Sequence, residues 1–173
     1  FGERMSDIAS RQGAQVFRVD SPWGHPIDID SVRREMKKHA SVKMLAAVHA
    51  ETSTGVLQPL PELSKIAKEH DSLLLLDAVT SLGGSPLNID DIGIDFCFSA
   101  TQKCLGAPPG LSPVTASDKA VSAMINRTNQ YFKSDIPFQN APLKVIKFQL
   151  DRAPQRSGEL HYMLFDPGVG QCR

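Results

Sequence analysis

The sequence predicts an α/β fold: a mostly parallel sheet flanked by helices. Three observations predict it. Strand-like apolar runs alternate with helix-like segments along the first 127 residues. The run Leu73-Leu74-Leu75-Leu76 is apolar without alternation, as a strand covered on both faces must be. Polar clusters follow three of the runs, and open sheets of this class place ligands beyond the carboxyl ends of their strands.

In chain order, Gln15–Val19 reads as a short strand. Asp30 or Ser31 can cap a helix reaching about His39, with Val32 and Met36 on one face. Lys43–His49 reads as a buried strand. Pro61 suits the first turn of the next helix, where its missing N–H costs nothing, and Leu63, Ile66 and Ala67 give that helix an apolar face. Ser72–Leu76 and Gly93–Phe98 are further strands. Leu111–Ala116 is another, with Pro113 suggesting an edge or an irregular pairing. Asp118 caps a last helix reaching about Arg127. From about Lys133 the pattern loses its period, and Pro137, Pro142, Pro154 and Pro167 interrupt it. Ile136–Phe138 and Val145–Phe148 are short strand candidates there. The expected organisation is a core over residues 1–132 and a linker or tail over 133–173.

With 173 residues the chain is large enough for one well-buried core. Zero formal net charge, with no basic cluster longer than Arg33-Arg34 or Lys37-Lys38, argues against a nucleic-acid partner. No apolar run reaches the length of a membrane span. Cys97, Cys104 and Cys172 have no metal-ligand spacing, so no metal site is expected, and their odd number argues for a reducing compartment. The chain opens on Phe1-Gly2, so a preceding segment is expected. Gln171-Cys172-Arg173 is not a peroxisomal address, which leaves the cytoplasm as the expected location.

The chemistry gathers in the three post-strand clusters: His49–Gly55, Asp77–Ser81 and Ser99–Lys103. A lysine amine can form a Schiff base with a carbonyl cofactor, and an aspartate at a strand end can pair with a protonated ring nitrogen. Lys103 and Asp77 together are the minimum equipment for pyridoxal-phosphate chemistry. Asp77 ends a buried run, where an unpaired carboxylate is costly, so a cationic partner is expected.

These residues resemble a known family. His49-Ala50-Glu51-Thr52-Ser53-Thr54-Gly55-Val56-Leu57-Gln58-Pro59, Leu76–Gly84 and Ser99–Gly110 are similar, in order and spacing, to the large domain of class V, fold-type I pyridoxal-phosphate aminotransferases. The alanine–glyoxylate and serine–pyruvate branch is the nearest resemblance. Gln102–Gly106 and Pro109–Val114 also resemble ureidoglycine–glyoxylate aminotransferases, which keeps the amino donor open. The resemblance implies pyridoxal 5'-phosphate as cofactor, held by Lys103 as an internal aldimine, with Lys103 then serving as general acid and base. It implies that Asp77 keeps the pyridine nitrogen protonated, that Val79 packs on the ring, that Thr52 lies near the ring oxygen and that Gln102 reaches the phosphate. Thr101 is a weaker candidate for the phosphate. His49 and Glu51 flank the site as structural residues, and Gly55, Gly83, Gly84 and Gly110 are read as turn glycines. Desulfurase relatives resemble a pattern with histidine beside the lysine; Gln102 occupies that place, so Cys104 is read as structural.

The implied partners are small amino acids and 2-oxo acids, and the implied assembly is a homodimer. Relatives are about twice this length. The family's phosphate-binding turn, its carboxylate-binding arginine and its histidine–histidine–threonine segment find no counterpart here. Arg152, Arg156 and Arg173 lie in no resembling motif. Two alternatives to the aminotransferase reading therefore stand: a truncated non-catalytic remnant, and another class V enzyme such as a phosphonate aminotransferase or a desulfurase.

Overall fold

The computed structural model describes residues 1–125 and 161–164. In chain order the elements are α1 (Gly2–Arg11), α2 (Ile29–Met36), β1 (Met44–Val48), β2 (Ala50–Glu51), β3 (Val56–Leu57), α3 (Pro61–Glu69), β4 (Leu73–Asp77), α4 (Ile89–Ile92), β5 (Phe96–Phe98), β6 (Ser112–Ala116), α5 (Asp118–Ile125) and β7 (His161–Leu164). The main sheet has the order β1-β4-β5-β6-β7, and β2 and β3 form a small antiparallel hairpin beside it. Strands β1, β4 and β5 are parallel, while β6 and β7 add antiparallel pairings at one side. The parallel part positions the site, because all three of its strands point their carboxyl ends the same way.

Burial of the sheet's centre follows from its residues. Leu74 and Leu76 of β4 are fully buried, as are Leu63 and Ile66 of α3, which packs against β4 and β1. Val32 and Met36 of α2 complete this layer, together with Ala47, Ala67, Ala78, Ile94 and Cys97. Both predicted helix faces are therefore the buried ones. Truncating Ile66 to alanine removes side-chain volume from a site with no access to water, so a loss of about 3 kcal/mol is expected. A urea-unfolding midpoint measures it, and a change too small to resolve would mean that α3 is not part of the core.

Several elements differ from their sequence expectation. Gln15–Val19 forms no ladder among the described residues. Alternating residues make a strand only beside a pairing partner, and here the Phe17 ring stacks on His39 instead, with centroids 3.6 Å apart. Helix α2 begins two or three residues earlier than Asp30 or Ser31 would set it. Its N-cap is Asp28, whose carboxylate accepts the Ser31 N–H (3.0 Å) and hydroxyl (2.6 Å). It also ends at Met36, where the Lys38 N–H bonds the Glu35 carbonyl in a tighter final turn.

Gly93, expected inside a strand, ends α4 in a left-handed conformation (φ +79°), so β5 starts only at Phe96. Asp95 joins this junction to its neighbours, accepting the Leu74 N–H at 2.9 Å and the Ser117 hydroxyl at 2.7 Å. Strand β6 is not an edge: it lies between β5 and β7. Pro113 costs its ladder a donor but keeps an acceptor, and its carbonyl takes the Ser99 N–H at 2.9 Å. Of the expected tail, His161–Leu164 joins the sheet as β7. The strand readings at 136–138 and 145–148 lie outside the described residues, as does the end of the helix expected to reach Arg127. Among the described residues no helix is long and apolar enough to cross a membrane.

Candidate active site

The register of the parallel strands assembles the site. Val48 of β1 lies opposite Asp77 of β4, and Asp77 lies opposite Phe98 of β5. The three polar clusters therefore leave the sheet side by side at one rim, as strand ends in such sheets do. Cross-bonds lace them together. The His49 N–H donates to the Asp77 carbonyl (2.9 Å), and the Ala78 N–H to the Phe98 carbonyl (2.9 Å). The Ser99 hydroxyl donates to the Ala78 carbonyl (3.1 Å). The Thr80 hydroxyl donates to the Ala50 carbonyl (2.6 Å), tying the loop after Asp77 to the β2–β3 hairpin.

Asp77 is buried, with 6% of its surface exposed. Among the described residues its carboxylate accepts one hydrogen bond, from the Val79 N–H to Oδ1 at 2.9 Å. Burial pushes its carboxyl above the usual aspartate range, and the Val79 N–H only partly opposes this. No side-chain cation forms an ion pair with it among the described residues. The cationic partner that its position demands is thus not supplied by the described residues. Beneath it, burial and secondarily the charge of Asp77 push the Cys97 thiol up to about 12, which leaves that thiol inert.

Lys103 lies in the turn that follows β5 and is exposed. Among the described residues no hydrogen bond or ion pair engages its amine. The turn itself is fixed: the Gly106 N–H donates to the Lys103 carbonyl (2.9 Å), and the Cys104 thiol to the Thr80 carbonyl (3.2 Å). The Thr101 hydroxyl is already committed within this segment, donating to the Pro108 carbonyl at 2.6 Å. Gln102 beside it is exposed, and its amide makes no hydrogen bond to the described residues.

Val79 is half-buried directly after Asp77. Thr52 is exposed in the hairpin turn, where Glu51 accepts the Ser53 N–H (3.1 Å) and hydroxyl (2.7 Å). Glu51 thus shapes the turn that carries Thr52. His49 is 4% exposed, and burial lowers its pKa, so its ring is neutral. It was expected to be a structural hydrogen-bonder. Its backbone carbonyl accepts the Gln58 N–H at 2.8 Å, while among the described residues its ring Nδ1 is buried without a hydrogen-bond partner, so that nitrogen does not fill the expected role.

The rim therefore brings Asp77, Val79 and the Lys103 turn together and joins the Thr52 hairpin to them through Thr80. Sequence reasoning gave no linking role to Thr80 or Ser99, and it read Cys104 as structural without its partner, since each acts through a bond to a backbone carbonyl more than twenty residues away. Chemically, the arrangement offers a buried carboxylate for a ring cation and an unengaged amine for a carbonyl carbon.

Comparison with known proteins agrees with the fold. Residues 4–144 match the model of the family described as aminotransferase class-V. An alanine–glyoxylate aminotransferase of Rattus norvegicus is 39% identical over 140 residues, covering 80% of this chain and 34% of the relative. The (S)-ureidoglycine–glyoxylate transaminase of Bacillus subtilis is 36% identical over 127 residues, covering 73% and 30%. The crystal structure of an alanine–glyoxylate aminotransferase from Nostoc sp. superposes with a TM-score of 0.71 at 43% identity, covering 75% of this chain and 34% of that one. The chain spans about a third of the length of the curated relatives it matches. With the family model covering most of its length, the chain belongs to the class-V aminotransferases.

Proposed function

We propose that this chain is the cofactor-binding part of a pyridoxal-phosphate-dependent aminotransferase. It would pass an amino group from alanine, serine or ureidoglycine to glyoxylate or pyruvate. The observation that carries this reading is Asp77: a buried strand-end carboxylate with a raised pKa, laced to the turn that presents Lys103. A buried carboxylate with no side-chain cation paired to it among the described residues fits a ligand that brings its own positive charge. The names of the rat and Bacillus subtilis relatives share glyoxylate, which favours it as the acceptor.

When bound, the cofactor supplies an electron sink for the substrate's α-carbon. The chain's own residues do the rest. Asp77 would hold the proton of the ring nitrogen, and its burial strengthens that pairing by excluding water. Lys103 would hold the cofactor's aldehyde carbon through its amine and then move the proton of the substrate α-carbon. Val79 would pack on the ring, the Thr52 hydroxyl would face the ring oxygen, and the Gln102 amide would reach the phosphate. The proposed cofactor-binding core spans residues 1–132, with 133–173 as the segment that follows it. A homodimer and a cytoplasmic location accompany this reading.

The test is reconstitution with pyridoxal phosphate, borohydride reduction and peptide mapping by mass. A single reduced adduct on Lys103 is expected, and labelling scattered over surface lysines would refute the assignment. With the acceptor varied at several fixed, non-saturating donor concentrations, two half-reactions at one site predict parallel double-reciprocal lines. A donor screen with glyoxylate and pyruvate then ranks the substrates, and intersecting lines would refute the two-half-reaction scheme.

A further inference from the structure

Gly83 and Gly84 follow the Asp77 cluster, and both read as turn glycines in the sequence. Only Gly83 needs its backbone freedom (φ +84°), because Gly84 does not adopt a left-handed conformation. What Gly84 lacks room for is a side chain. A Cβ built there would lie 2.6 Å from Cys104 Sγ and 3.0 Å from Cys104 Cβ. One at Gly83 would lie 3.3 Å from Leu105 Cδ2 and 3.5 Å from the Cys104 carbonyl oxygen. The two glycines make a floor on which Cys104 and Leu105 rest. The Thr80 carbonyl adds a further hold, accepting the Cys104 thiol at 3.2 Å. Cys104 is the residue next to Lys103.

We propose that Gly84 is a positioning residue: by admitting Cys104 against its bare backbone, it seats the turn that carries Lys103 against the loop that carries Asp77. This rests on the reading of Lys103 as the cofactor lysine. The seat consists of Thr80, Gly83 and Gly84, all within seven residues of Asp77. A methyl group at position 84 pushes on the side chain of Cys104, the residue next to the lysine, and displacements of about 1 Å at a reacting group can cost about a hundredfold in rate.

The experiment compares the full chain with the variants Gly84→Ala, Cys104→Ala and the double variant. Two readouts are used: iodoacetamide labelling of Cys104 without cofactor, and the rate of pyridoxal-phosphate trapping on Lys103. Gly84→Ala is expected to slow trapping about tenfold or more and to change the rate of Cys104 labelling, since the exposed thiol loses its bond to the Thr80 carbonyl. Cys104→Ala removes one weak S–H···O contact and is expected to cost no more than about threefold. The double variant removes the 2.6 Å contact with Sγ but keeps the 3.0 Å contact with Cβ, so it is expected to trap faster than Gly84→Ala and no faster than Cys104→Ala. Unchanged trapping and labelling in Gly84→Ala would overturn the proposal, and so would a double variant as impaired as Gly84→Ala. If Gly84→Ala does not fold, recovery of folding and trapping in the double variant supports the seat, and its absence overturns it. If the unmodified chain traps nothing on Lys103, the functional reading fails, and Cys104 labelling alone still decides whether the seat exists.

Discussion

Lys103→Ala is expected to abolish the borohydride-trapped adduct and to lower transamination by at least about 10³-fold, the upper part of the range for losing a positioned acid or base. The fold should be untouched. Lys103 is exposed, and its amine contacts no described group that would lose a partner. Its turn is held by the Cys104 thiol and by backbone bonds, none of which uses the lysine side chain. Lys103→Arg sharpens the test. Arginine keeps the charge and much of the length but stays protonated, so it is neither a nucleophile nor a base. The two variants should therefore be equally inactive and should melt at the temperature of the parent chain. Retained trapping in either would remove Lys103 from the mechanism, and a lowered melting temperature would show that the lysine has a structural role.

The elements legible in the sequence are those whose pattern is local. The apolar run ending at Asp77 marked β4, and Pro61 with Leu63, Ile66 and Ala67 marked α3 with its correct buried face. The order of three post-strand clusters foretold the rim, because parallel strands leave no other end for them. What escaped depends on partners. Nothing within Gln15–Val19 says that no described strand pairs with it. Gly93 reads as strand until the left-handed end of α4 claims it. In the candidate site, Asp77 announces itself as the polar end of a buried apolar strand, whereas Val79 is marked only by the family resemblance. Thr52 and Gln102 stand on exposed turns, and among the described residues no hydrogen bond engages their side chains, so neither burial nor pairing singles them out. The seat under Cys104 was invisible for a similar reason. A glycine needed for close approach looks in sequence like a glycine needed for a turn, and only the contact across the fold tells them apart.

Asp77→Asn should separate stability from function, moving them in opposite directions. Burial raises the Asp77 pKa, so between the ordinary aspartate range and the raised value the folded chain holds more proton than the unfolded one. Stability then falls as pH rises through that window, and the cost of the buried charge is fully present above it. Asparagine is isosteric and neutral, and its Oδ1 can still accept the Val79 N–H. Without cofactor, the variant should therefore melt no lower than the parent chain at neutral pH, and the acid-side dependence of its melting temperature should flatten. Cofactor chemistry should respond the other way. A neutral amide cannot offer a protonated ring nitrogen the charge that a buried carboxylate offers, and loss of one such preorganised electrostatic contact costs about 10²-fold or more. Thermal melts from acid to neutral pH, run beside half-reaction rates, read both effects in one set of samples. A destabilised asparagine variant would mean that Asp77 already has a cationic partner in the folded chain, and an undiminished half-reaction would mean that the ring nitrogen lies elsewhere.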